Sequence, residues 1–72
     1  MLHPDAFVDM ATLALLNVAR DSTRFQEKRA EMMTRGGREI GIDPHELADA
    51  LPEDPLRLIE MARAQGFVEL KF

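Results

Sequence analysis

Residues 42–72 read IDPHELADALPEDPLRLIEMARAQGFVELKF, and the punctuation of this stretch decides the fold. Asp43 caps a helix with Pro44 at its first position, and Glu46 completes an Asp-x-x-Glu capping box. Leu47, Ala48 and Leu51 form the inner face of that helix, and Pro52 stops it. Asp54-Pro55 repeats the cap-then-proline signal and opens a second helix. There Leu56, Ile59, Ala62 and Arg63 follow helical spacing, with Leu58 and Met61 beside them. Gly66 is its natural end. From Phe67 to Phe72 the pattern alternates, with Val68, Leu70 and Phe72 on one side, which predicts a short C-terminal strand.

Working back toward the start, Gly36-Gly37 reads as a helix stop, and Arg38 to Ile42 as a short extended piece; the terminal strand would pair with its residues 40–42 or with the same strand of a second subunit. Before it, residues 21–35 predict a polar helix with Asp21, Ser22 or Thr23 as cap and Thr23-x-x-Gln26 as a capping box. The first helix starts at His3-Pro4-Asp5 and runs to about Arg20. A rival reading fuses these two helices, because Leu15, Val18, Ser22, Phe25, Arg29 and Met32 recur at steps of three and four. Polar Ser22 and Arg29 weaken that seam, so a break near Asp21 is expected. The first helix is apolar nearly all round, interrupted only by Asp5, Asp9, Thr12 and Asn17. A helix of that kind sits at the centre of a core or between subunits, and a chain of 72 residues has little material to wrap it. A homodimer is therefore expected, with Phe7, Met10, Leu13, Leu15, Val18, Phe25 and Met32 as its interface.

Size and composition narrow the choice. The length allows one domain, residues 1–72. Apolar residues make up 46%, too many for a disordered chain. There is no cysteine, so neither disulfides nor thiolate ligation arise. No apolar run reaches the roughly 18 residues of a membrane span, and an export signal would need a basic start where this chain has His3-Pro4-Asp5. A cytoplasmic protein with no membrane contact is expected. Lys28 and Lys71 are the only lysines among nine basic side chains, a bias that points to a GC-rich bacterial or phage genome. The formal charge is −4, unevenly spread. Arg20, Arg24, Lys28, Arg29, Arg35 and Arg38 face four acids between positions 20 and 39, so this middle is +2 and the remainder −6. The whole repels a phosphate backbone, although the basic strip would favour one locally.

Residues 58–69, LIEMARAQGFVE, resemble the end of a winged-helix recognition helix running into its wing, and Glu46 to Leu51 resembles the scaffold helix of that class. The resemblance covers about 25 residues and rests on common patterns. It implies a helix-turn-helix-like arrangement and, in its DNA-binding members, base contacts from the second helix. The turn Pro52-Glu53-Asp54 is shorter than the usual one and acidic, and the helix opens Pro55-Leu56-Arg57-Leu58 where polar base-reading residues are usual. Direct reading of DNA is thereby disfavoured.

Catalytic chemistry finds little to work with. His45, Glu46 and Asp49 share a helix start but read as solvent-facing residues rather than metal ligands, and Ser22, the only serine, reads as a cap. The pairs Asp5 with Asp9 and Glu27 with Glu31 read as solvated faces. Gly36-Gly37 and Gly41 lack the context of a phosphate loop. No enzyme activity, cofactor or metal is expected. The expectation is a mainly α protein, a small four-helix orthogonal bundle, helix-turn-helix-like, with a short C-terminal β-strand. Its expected function is that of a small regulatory module (adaptor, inhibitor or antiactivator) that binds another protein as a homodimer. The alternative is a small DNA-binding transcriptional regulator with Arg24, Lys28, Arg35 and Arg38 on phosphates and Arg57 and Arg63 near bases.

Overall fold

The computed structural model describes residues 3–67. Four α-helices follow one another: α1 (Pro4–Asn17), α2 (Ser22–Arg35), α3 (Pro44–Ala50) and α4 (Pro55–Ala64). A π-helical turn, Gly36–Ile40, continues α2. The described residues contain no strand; the predicted strand falls, Phe67 apart, outside them.

The helix starts are local chemistry. Each of three aspartates accepts a hydrogen bond from a backbone N–H of the helix it opens. Asp21 Oδ1 takes Arg24 N at 3.1 Å, Asp43 Oδ1 takes His45 N at 2.7 Å, and Asp54 Oδ1 takes Leu56 N at 3.0 Å. At α1 the His3 Nδ1 accepts from Asp5 N at 3.2 Å. Proline occupies the start of α1, α3 and α4, where its missing N–H costs nothing. The break near Asp21 is present, so α1 and α2 are separate helices. Neither predicted capping box forms as drawn: the cap of α2 is Asp21, Gln26 is used elsewhere, and Asp43 bonds His45 rather than Glu46. α1 also ends at Asn17, three residues early, because Val18 N–H turns back to the Leu15 carbonyl at 3.1 Å.

Gly36-Gly37 is not a helix stop. Gly36 has helical φ −61° and ψ −41°, and the backbone winds on to Ile40 before Gly41, at φ 82°, ends it. The extended segment expected at 38–42 is therefore absent, and with it the strand partner expected within the chain. The reason lies in packing. A Cβ at Gly36 would stand 2.5 Å from Leu47 Cδ2 and 3.0 Å from Phe7 Cε2. The glycine is there because α1 and α3 press against this point.

One core gathers the apolar faces. α1 supplies Phe7, Ala11, Leu15 and Leu16; α2 supplies Phe25 and Met32; α3 and its cap supply Leu47 and Leu51; α4 supplies Leu58 and Ala62. α1 packs on α2, α4 and the π turn, while α3 packs on α2 and the π turn. The inward face of α4 differs from expectation: Leu58 and Ala62 are buried, Leu56 is 69% exposed, and Arg63 faces solvent. Gly66, at φ 95°, ends α4 as expected. Phe67 N–H bonds the Ala62 carbonyl at 2.8 Å and Gly66 N–H the Arg63 carbonyl at 3.2 Å, the paired bonds of a Schellman motif. The Cα radius of gyration, 11.4 Å, matches the roughly 11 Å of a compact domain of this length, so the chain encloses its own core.

Candidate interaction surfaces

The expected interface residues divide into two groups. Phe7, Leu15, Phe25 and Met32 are at most 4% exposed and lie inside the chain's own core. On this fold they are not surface residues. Val18 is half-buried against the same core. Met10 and Leu13 point outward, 39% and 38% exposed. With exposed Ala6 and Asn17 they stand at positions 6, 10, 13 and 17 of α1. At 100° per residue these four fall within roughly 60° of arc, on the side opposite Ala11 and Leu15. This strip, apolar except for Asn17, lies on the exposed side of α1 beside exposed Asp5 and Asp9, and the described residues cover its Met10 and Leu13 only in part.

Two cations of the basic strip, Lys28 and Arg35, are paired within it. Lys28 Nζ lies 3.5 Å from Glu31 Oε1, and Arg35 lies 3.9 Å from the other oxygen of Glu31 and 3.3 Å from Glu39. These two bases and two acids sum to zero. Exposed pairs of this kind contribute about 0–1 kcal/mol each, and here they mainly cancel local field. Arg24, Arg38, Arg57 and Arg63 are exposed and make no ion pair among the described residues. Arg57 and Arg63 are six positions apart, so they leave α4 about 120° from each other and do not share a face.

A polar contact that the sequence did not announce joins α2 to the α3–α4 turn. Arg29 Nε donates to the Leu51 carbonyl at 2.6 Å, and its guanidinium lies 4.0 Å from Glu53. One helical turn earlier, Gln26 Nε2 donates to the Glu53 carbonyl at 2.9 Å. The Arg29 side chain is only 15% exposed. In the sequence Arg29 looked like a flaw in an apolar seam; here it satisfies a carbonyl at the end of α3. One of the two acids at the turn, Glu53, is thus turned partly toward an internal cation.

Other chemistry is sparse among the described residues. No group of three or more His, Cys, Asp or Glu side chains is placed to hold a metal ion. No helix is long and apolar enough to cross a membrane. The one buried polar side chain, Thr12, donates its hydroxyl to the Val8 carbonyl at 2.8 Å, which satisfies it within α1. Compared with protein-family models, with curated proteins and with solved structures, the chain matches none.

Proposed function

We propose that this chain is a small regulatory protein-binding module that acts without catalysis and as a homodimer. Within that role it serves as an adaptor, inhibitor or antiactivator of another protein. The observation that carries the reading is the partly exposed apolar strip of α1, where Met10 and Leu13 stay outside the core cluster. The pairing of Lys28 and Arg35 with Glu31 and Glu39 supports a protein partner over a polyanion, because it takes two of the four cations expected on phosphates away from them. The test is sedimentation of the intact chain from roughly 10 to 500 micromolar, a range chosen because a strip this small falls below standard interface size. A concentration-dependent dimer is expected, and a monomer throughout would remove the reading.

A second reading, a helix-turn-helix-type DNA-binding regulator, draws on Arg24, Arg38, Arg57 and Arg63, which have no acidic partner among the described residues. Retention on duplex DNA at about 50 mM salt that falls steeply as salt rises would promote it over the first. No retention at that salt would eliminate it.

A further inference from the structure

We infer that the partner of the α1 strip is the α1 strip of a second copy, packed antiparallel, with Ala6 of each copy against Asn17 of the other and Met10 against Leu13. The inference rests on the homodimer just proposed and adds its geometry.

Three observations lead to it. The exposed positions 6, 10, 13 and 17 are separated by four, three and four residues. That is the alternation of a and d positions in a coiled-coil seam, which presents itself to another helix rather than to a pocket or a sheet. In this register the positions that turn away from the seam are Val8, Ala11, Thr12 and Leu15, and these are the ones packed into the chain's own core. One helix therefore carries two faces half a turn apart.

Size sets the layers. Under a two-fold axis midway between Met10 and Leu13, those two side chains form equal central layers and small Ala6 receives the bulkier Asn17 at each end. A parallel pairing would instead place Ala6 on Ala6, an underfilled layer, and Asn17 on Asn17.

Charge sets the direction. The N-terminal half of α1 carries Asp5 and Asp9; the C-terminal half carries no charge and is followed by the adjacent Arg20 and Asp21, which sum to zero. Parallel helices would gather four carboxylates around one end. Antiparallel helices put each acidic half beside the partner's acid-free half and also oppose the helix dipoles favourably. α1 is about 21 Å long and offers two heptads, so the contact is small and the dimer forms at high micromolar concentration rather than nanomolar.

The chain has no cysteine, which makes the test direct. Ala6→Cys and Asn17→Cys are made as separate proteins; both positions are exposed, so folding is retained. Each protein alone, and the two mixed, are treated with a short bismaleimide at a concentration where the wild type sediments as a dimer. Cross-linking of the mixture, with little in either protein alone, is expected, because like positions are displaced by roughly 16 Å along the axis. Strong cross-linking of each single protein with itself would overturn the antiparallel register while leaving the homodimer standing. No cross-linking in a sample that is dimeric by sedimentation would overturn the α1 seam and move the interface elsewhere. A wild type that stays monomeric would remove both this inference and the function it rests on. Met10→Glu with Leu13→Glu supplies a second readout: at least tenfold weaker dimerisation of a protein that still unfolds cooperatively is expected. An undisturbed dimer would overturn the seam.

Discussion

Gly36 and Gly37 are neighbours of identical chemistry, and alanine is expected to act on them with opposite sign. Neither needs a positive φ, since Gly41 and Gly66 are the only described residues that have one. Taken alone, replacing a helical glycine by alanine favours the folded state by up to about 1 kcal/mol, because the unfolded chain loses freedom. At Gly37 nothing stands within 4 Å of the added Cβ, so that gain is realised, at about 0.5–1 kcal/mol. At Gly36 the Cβ would meet Leu47 Cδ2 at 2.5 Å and Phe7 Cε2 at 3.0 Å, against an ordinary carbon–carbon contact of about 3.5–4.0 Å. Leu47 and Phe7 are 0% and 1% exposed and hemmed in by the rest of the core, so neither yields freely. Overpacking of this kind costs about 1–3 kcal/mol. Net of the entropic gain, Gly36→Ala is expected to destabilise by about 1 kcal/mol, which places the two variants roughly 2 kcal/mol apart.

Urea unfolding followed by far-UV circular dichroism, at one protein concentration for all three proteins, measures the difference. In a domain of this size 1 kcal/mol corresponds to about 4–8 °C in melting temperature, so a thermal scan reads it too. Gly36→Ala should melt below the wild type and Gly37→Ala above it. A Gly36→Ala protein as stable as the wild type, or a Gly37→Ala protein less stable than Gly36→Ala, would refute the claim that Gly36 is retained for close packing.

Three further outcomes follow from contacts already described. Arg29→Ala should cost about 2 kcal/mol in urea unfolding, because the Leu51 carbonyl loses a charged donor at 2.6 Å. Gln26→Ala, in a more exposed position, should cost about half that or less, and equal losses would show that the two contacts are not ranked by burial. Asp54→Ala should cost about 1 kcal/mol and Asp54→Asn almost nothing, since either oxygen caps α4; a thermal scan in which asparagine fails to rescue would make the effect one of charge rather than capping. Gly66→Ala, at φ 95° with open space around it, should cost about 1 kcal/mol from backbone strain alone, and no change in melting temperature would deny the Schellman turn.

What was legible in the sequence was local. The caps Asp21, Asp43 and Asp54, the prolines after two of them, and Gly66 each act within a few residues, so the chain order shows both cause and effect. What was hidden depended on distant partners. Gly36 looks like any terminating glycine until Phe7 and Leu47, 29 positions before and 11 after it, are placed beside it. On the ten-residue α4, packing on α1 buries Leu58 and Ala62 with Ile59 at their flank and leaves Leu56 outside, a choice that apolar spacing alone does not make. Arg29 and Gln26 carry no local sign of their role, because the carbonyls they satisfy lie 22 and 27 positions away.

The apolar first helix carries more than one kind of apolar residue. In the sequence Phe7 and Leu15 of α1, and Phe25 and Met32 of α2, look no different from Met10 and Leu13. The fold separates them: the first four close the core, and the last two remain outside it. Taken singly, an exposed methionine and leucine are ordinary on a small protein. Their argument comes from spacing, since a helix needs only one apolar arc to join a bundle and α1 has a second at steps of four, three and four. The two arcs make different demands on experiment. Truncating Leu15 removes packing from every molecule and lowers stability at any concentration, by about 2–5 kcal/mol for alanine. Truncating Leu13, 38% exposed, removes less packing within the chain and also what a neighbour would cover, so the part of its effect due to the dimer should vanish on dilution. That dependence on concentration, rather than the size of either loss, separates a helix that is merely apolar from one with two partners.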